Sequence, residues 1–393
     1  MTAAVLSGPS LPAQGAAAAE DAPVLSFIWF AVPYLIAIVY FFTMIDDGSH
    51  VLAPALPIAV VLAGALVTAI VARRPPQLNR DVAVLALAYC VVCLVAMAMR
   101  QTSDVFALRK LGLPLVGMAP AMFRYYVTPR QMLAFMIVLA LVAFFYTTET
   151  PDVVSDGFFS TDSPDESILG VVFGALAVWL AASNRWALSA VAYAACLVFF
   201  KRNAIIAAPL VVALVVAVQL LRPRWPERTL RRIAVATVAG MAVLAFYLGD
   251  LFDLIANQFL RGYSAEFLSV GREPLYAAIL GNFERSGLDE QLLGHGPGAV
   301  EHVVANLVFL HVDLQLAHDE YLSWLYDFGL VGLLLLMFFF ARLARSGLPA
   351  AAVLIFVATT MVAENYFLVS FNCLAVFVLL STHMVGRNPA ADA

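Results

Sequence analysis

Residues 318–342 read HDEYLSWLYDFGLVGLLLLMFFFAR. The run opens on an imidazole and two carboxylates, His318, Asp319 and Glu320, and is nearly pure hydrocarbon from Gly329 to Phe340. A helix that crosses a bilayer needs about 20 mostly apolar residues. Residues 319–341 supply them, with Asp319 and Glu320 expected at the membrane surface. The two acids then occupy the first helical turn, where the positive end of the helix dipole tolerates negative charge. His318 stands where a long polar loop, 251–318, re-enters the bilayer.

The composition agrees with that reading. Of the 393 residues 63% are hydrophobic and 12% charged, and the mean hydropathy is +0.91. A soluble domain is roughly half apolar and a quarter charged, so the expected class is an all-α, polytopic membrane protein. Apolar segments fall at 24–44, 51–72, 82–99, 105–123, 131–146, 167–183, 186–200, 204–221, 233–249, 319–341, 349–364 and 367–385, twelve in all. Two are weak spans. Segment 105–123 is interrupted by Arg109, Lys110 and Pro114, and 186–200 is short; a broken or re-entrant element is tolerated where protein or water covers its backbone.

Basic residues of short loops mark the cytoplasmic side. A cytoplasmic start puts Arg73, Arg74 and Arg80, then Arg124 and Arg130, then Arg342 and Arg345 inside, whereas loop 147–166 carries six acids and no Lys or Arg. The expected organisation is a tail at 1–22, nine spans within 23–250, an external subdomain at 251–318, three spans within 319–385 and a second cytoplasmic tail at 386–393. The first tail has neither the positive start nor the small-residue cleavage site of a signal peptide, and reads as a disordered cytoplasmic segment. The net charge of −5 is divided among loops and offers no basic face for nucleic acid. Four cysteines give no disulfide framework; Cys90 and Cys93 fall inside an apolar helix, where they pack as small polarizable groups.

Four motifs stand out at the outer face, each with two readings. Lys201-Arg202-Asn203 lies on the outer side, against the charge bias. It is either a snorkelling anchor or an anion site, because a guanidinium fork suits phosphate. Arg272-Glu273-Pro274 starts a helix over 274–285 with proline in its first turn, and Arg272 either pairs with a surface acid or serves a ligand. Gly294-His295-Gly296-Pro297-Gly298 reads as a tight structural turn, since no strand–turn–helix frame makes it a nucleotide loop. His295, His302, His311 and His318 contain no close ligand pair of the HxxxH kind, so no metal is expected. Asp327, about two turns into its helix, lines a polar cavity or pairs with an arginine; an acid at that depth is a functional candidate.

Taken together, VGREPLYAAIL, LLGHGPGA and AHDEYLSWLYDFGLVGLL resemble the O-antigen ligase and O-antigen polymerase family of bacterial membrane glycosyltransferases, most closely across 269–341. Family members usually have Asn where this chain has Asp319, and many have Ser-Arg where it has Lys201-Arg202. The resemblance implies about twelve membrane helices, a large helical periplasmic loop between the ninth and tenth, and a periplasmic active site in the bacterial inner membrane. It implies an inverting, metal-independent transfer without a cofactor. His318 would be the general base, and Arg272 and Arg202, with Lys201 beside them, would hold the diphosphate of an undecaprenyl-diphosphate-linked glycan donor. Asp319, Glu320 and Asp327 are secondary candidates. The acceptor would be a second lipid-linked repeat, for a polysaccharide polymerase, or a lipid A core, for a ligase of lipopolysaccharide biosynthesis. Membrane lipid and a chain-length regulator are further implied partners. The reading leans to polymerase, and the rival from another class is a lipid-linked sugar flippase or secondary transporter.

Overall fold

In the computed structural model, residues 78–147, 169–199, 201–258, 272–306, 319–363 and 376–384 are described. The predicted segments 24–44 and 51–72, the acidic loop 147–166 beyond Thr147, His311, His318 and both tails lie outside them.

The chain is mostly helical. In order come α1 (Arg80–Arg100), α2 (Val105–Ala121), β1 (Tyr125–Val127), α3 (Pro129–Thr147), α4 (Leu169–Ala182), α5 (Trp186–Val198), α6 (Arg202–Leu221), α7 (Pro226–Phe246) and α8 (Leu248–Gln258). Beyond them lie three short helices, α9 (Glu273–Arg285), α10 (Leu288–Leu293) and α11 (Ala299–Ala305), then α12 (Glu320–Leu343), α13 (Leu348–Thr360) and β2 (Thr382–Met384). Four of the described helices are long and apolar enough to cross a membrane: α1, α6, α7, and α12 with the turn that extends it to Ser346.

The long helices are apolar on both sides, and packing decides which face is buried. In α1, Val82, Leu85, Ala86, Tyr89, Cys93 and Ala96 recur at helical spacing and face inward, while Leu87 and Val91 remain exposed. An exposed apolar stripe of this kind suits lipid. Helix α4 has no outward face, since all of its residues are buried. Its small residues admit close neighbours: a Cβ on Gly174 would lie 2.9 Å from the Phe356 ring of α13. Without a strong hydrophobic drive between helices in lipid, such small-residue contacts supply much of the packing.

The polar ends of the bundle segregate. At one end Asp81 accepts from Arg342 Nε at 2.8 Å, Asn79 donates through its amide nitrogen to Ser381 Oγ at 2.9 Å, and β1 pairs in parallel with β2, Tyr125 opposite Thr382. This pair is a small correction to the all-α expectation. Between α2 and α3 the chain leaves the helix, and its free backbone groups need partners; the extended residues 382–384 provide them. At the other end, Arg100 donates from Nε to the Gly294 carbonyl at 2.9 Å and from Nη1 to Asp289 at 3.1 Å. His302 meets Asp104 at 2.5 Å.

The expected uninterrupted helix over 319–341 is in fact broken. Gly329 adopts φ 67°, ψ −171°, a conformation open to glycine alone. In a straight helix the carbonyls of Tyr326 and Asp327 would accept from the amides four residues on. Here they accept instead from His295 N and Gly296 N, both at 3.0 Å. The turn read as Gly294–Gly298 is the plug of that break. Its glycines have φ of 80°, 103° and 85° at 294, 296 and 298, and a Cβ on Gly294 would fall onto the Asp327 carbonyl.

Gly294→Ala should therefore lose about 1–3 kcal/mol through backbone strain alone, with the clash added. Gly240→Ala and Gly281→Ala, where an added Cβ meets nothing within 4 Å, should be neutral or stabilising by up to about 1 kcal/mol. Thermal unfolding of the detergent-solubilised protein reads all three; equal Tm values would contradict the plugged break.

Candidate functional site

Three elements converge on the short turn that follows α13. Asp319 precedes the α12 span and caps it, its Oδ1 accepting from Leu322 N at 3.0 Å. Glu320 N donates to the Met361 carbonyl at 2.9 Å, and the Tyr321 hydroxyl donates to the Ala358 carbonyl at 3.0 Å. Arg272, immediately before α9, donates from Nη1 to the Ala363 carbonyl at 3.2 Å. The first turn of α12, the end of α13 and the start of α9 are thus stitched together through residues 358–363.

Asp319 and Glu320 are both wholly buried within the protein. The end of α13 lies against them, through the Ala358 and Met361 carbonyls. Burial pushes the Asp319 carboxyl up to about 8, against the pull of the Leu322 and Tyr321 amides. The neighbouring charge of Glu320 adds to the rise, and that of Arg272 opposes it. Asp319 Oδ2 has no hydrogen-bond partner among the described residues.

Lys201 and Arg202 open α6. Lys201 is buried against the start of α4, where a Cβ on Gly170 would come within 2.6 Å of the Lys201 Cβ. One turn on, Gly174 touches both Ala204 and Phe356, so the pair lies beside the last turns of α13, at the same end as Arg272. Burial of Lys201 by protein is more than a headgroup anchor needs. Asn203 turns its Oδ1 to the Ala204 amide at 2.7 Å. His318 lies outside the described residues, and Asp319 is its described chain neighbour.

Asp327 belongs to a separate centre two turns deeper. Lys110 of α2, fully buried, lies 3.1 Å from Asp327 Oδ2 and 3.2 Å from Glu301 Oε1, and its ammonium also hydrogen-bonds Ser323 Oγ. Asp327 accepts in addition from Gly298 N at 3.2 Å and Val300 N at 3.0 Å, at the opening of α11. The expected arginine partner is therefore a lysine, and the acid anchors the loop to the bundle. Burial raises the Glu301 carboxyl to about 6 in spite of Lys110. Sequence reading took Lys110 for an interruption of a weak span and passed over Glu301. A cation inside an apolar run announces a buried partner, but 191 residues separate these two and no local pattern joins them.

The histidines of the loop divide by structure. The His295 ring stacks on Tyr326 with centroids 4.2 Å apart and meets Ser286 Oγ at 2.8 Å, so it packs the plug. Among the described residues no group of three His, Cys, Asp or Glu side chains is arranged to hold a metal ion.

Chemically, the end formed by Arg272, Asp319, Lys201 and Arg202 supplies cationic donors next to a carboxyl group of altered acidity. That combination suits an anionic ligand whose chemistry includes a proton. Compared with family models and with curated proteins, the chain has no match in either.

Lys110→Met should destabilise by about 3–5 kcal/mol, because it leaves Asp327 and Glu301 buried without their cation. Adding Asp327→Asn and Glu301→Gln to it should restore part of the loss, read as Tm of the purified protein. A triple variant no better than the single one would contradict the assigned pairing.

Proposed function

We propose that the chain is a membrane glycosyltransferase that moves an undecaprenyl-diphosphate-linked glycan to an acceptor sugar, in the manner of the O-antigen polymerases and ligases its motifs resemble. The observation that carries the reading is that Arg272 and the Asp319–Glu320 pair meet the same turn, Arg272 donating to the Ala363 carbonyl and Glu320 N to that of Met361. The shared turn brings a cation from the start of the loop helices towards the residue that follows His318, across a wide separation in sequence. Lys201 and Arg202 at the same end of the bundle support it, since a diphosphate takes several cationic donors.

In this reaction the acceptor hydroxyl oxygen attacks the anomeric carbon while the bond to the diphosphate breaks. His318 takes the hydroxyl proton, and the undecaprenyl diphosphate leaves with both bonding electrons. Arg272, with Arg202 and Lys201, stabilises the charge that grows on the leaving oxygen; donors already in position pay no reorganisation cost at that moment. Attack opposite the leaving group inverts the anomeric centre. The work is done at the outer face of a bacterial inner membrane, and polymerase is preferred to ligase.

The broken helix α12 favours a second reading, because discontinuous helices mark the substrate sites of transporters. Two facts weigh against it. The carbonyls freed by the break accept from residues 295 and 296, and the acid beside it is committed to Lys110 and to the α11 amides. The break serves as an anchor for the loop.

Purified protein supplied with lipid-linked donor and acceptor should form product without an ion gradient, which a transporter does not do. His318→Ala should lower turnover by about 10²–10⁴-fold, as for other general bases, and Arg272→Ala by about 10²–10³-fold, with membrane insertion unchanged. Near-normal turnover of either variant removes that residue from the mechanism. In cells, deletion leaving single capped repeats marks a polymerase, and accumulated long lipid-linked polymer marks a ligase.

A further inference from the structure

The reaction just described gives Asp319 no part, yet its surroundings are unusual. One oxygen caps α12; the other is buried and has no hydrogen-bond partner among the described residues. A buried acceptor left unsatisfied is costly and calls for an explanation. Across from it lies Arg272, whose guanidinium donates to the Ala363 carbonyl and whose charge reaches the Asp319 carboxyl without a direct ion pair between the two. A cation and a carboxyl group thus lie at one turn, residues 361–363, without pairing to each other. Of the other neighbours, Glu320 contributes a like charge, and α13 (LPAAAVLIFVATT) contributes no titratable side chain.

We propose that Asp319 is a positioning residue that sets how firmly Arg272 holds phosphate: neutral, it leaves the guanidinium to the ligand; ionised, it competes for that guanidinium as a second anion. The proposal rests on the reading of Arg272 as a diphosphate ligand. The direction follows from charge alone. Two anions at one guanidinium repel, so bound phosphate favours the protonated carboxyl, and deprotonation weakens phosphate binding. Burial, which pushes the Asp319 carboxyl up to about 8, puts this competition just above neutrality, and the proton comes from solvent. By reciprocity, bound phosphate must move the Asp319 titration to higher pH.

The test uses the full chain in lipid nanodiscs with inorganic pyrophosphate as probe, comparing wild type with Asp319→Asn. The amide retains an oxygen for the Leu322 N–H. Pyrophosphate and neighbouring residues also titrate, so the quantity read is the ratio of the two Kd values at each pH. It should be close to one at about pH 6.5, with wild type weaker by about tenfold at about pH 9, the equivalent of one unit of pKa coupling. A ratio that does not change with pH overturns the proposal and leaves the diphosphate reading in place. Absence of saturable pyrophosphate binding by both proteins at every pH overturns both. A second measurement needs only wild type: the infrared carbonyl band of a buried carboxylic acid should vanish as pH rises through about 8, and pyrophosphate should shift that loss upward. A loss of the band that pyrophosphate does not move overturns the proposal.

Discussion

In a bilayer every backbone carbonyl must find a donor, and the break at Gly329 creates two that do not have one within their own helix. The amides of His295 and Gly296 take them, and this exchange is the condition on which the end of the molecule that carries the loop depends. It fixes the loop against α12 by main-chain contacts that tolerate only glycine at Gly294 and Gly329. It also brings Asp327 to the opening of α11 and so to Lys110. Lys110 in turn ties α2 to both. A charged centre of this kind is stable only while all its members are present, so helix break, loop and ion cluster stand or fall as one unit.

That unit positions the proposed site without belonging to it. With α12 held by the plug, its first turn abuts the end of α13, and α9 delivers Arg272 to the same turn. The cationic start of α6 is brought alongside through the small residues of α4, Gly170 and Gly174. Charged groups from distant parts of the chain are thereby carried by helix ends, and in the proposed reaction such preorganised charge would stabilise the departing diphosphate.

Much of the helical architecture could be read directly from the chain, because a long apolar run in a hydrophobic protein has few alternatives to a helix. The segments expected at 82–99 and 204–221 appear as Arg80–Arg100 and Arg202–Leu221, and Pro274 starts its helix as its fixed φ requires. The break at Gly329 was not legible, since glycine is common inside membrane helices and nothing nearby marks this one. Nor was the partner of Asp327: the sequence leaves open a polar cavity or an arginine, and the structure supplies Lys110 together with two backbone amides. The pairing of residues 125–127 with 382–384 joins two runs too short to carry a strand pattern. The burial of Asp319 and Glu320 depends on how the first turn of α12 meets the end of α13, which hydropathy cannot express.

The central claim is that Arg272 and His318 serve one prenyl diphosphate at the outer end of the bundle. The most direct measurement is an experimental structure of the full chain with undecaprenyl diphosphate bound. The account predicts phosphate oxygens within hydrogen-bonding distance of the Arg272 guanidinium, with the His318 imidazole opening onto the same space. Diphosphate bound elsewhere, or an imidazole separated from it by packed protein, would contradict it.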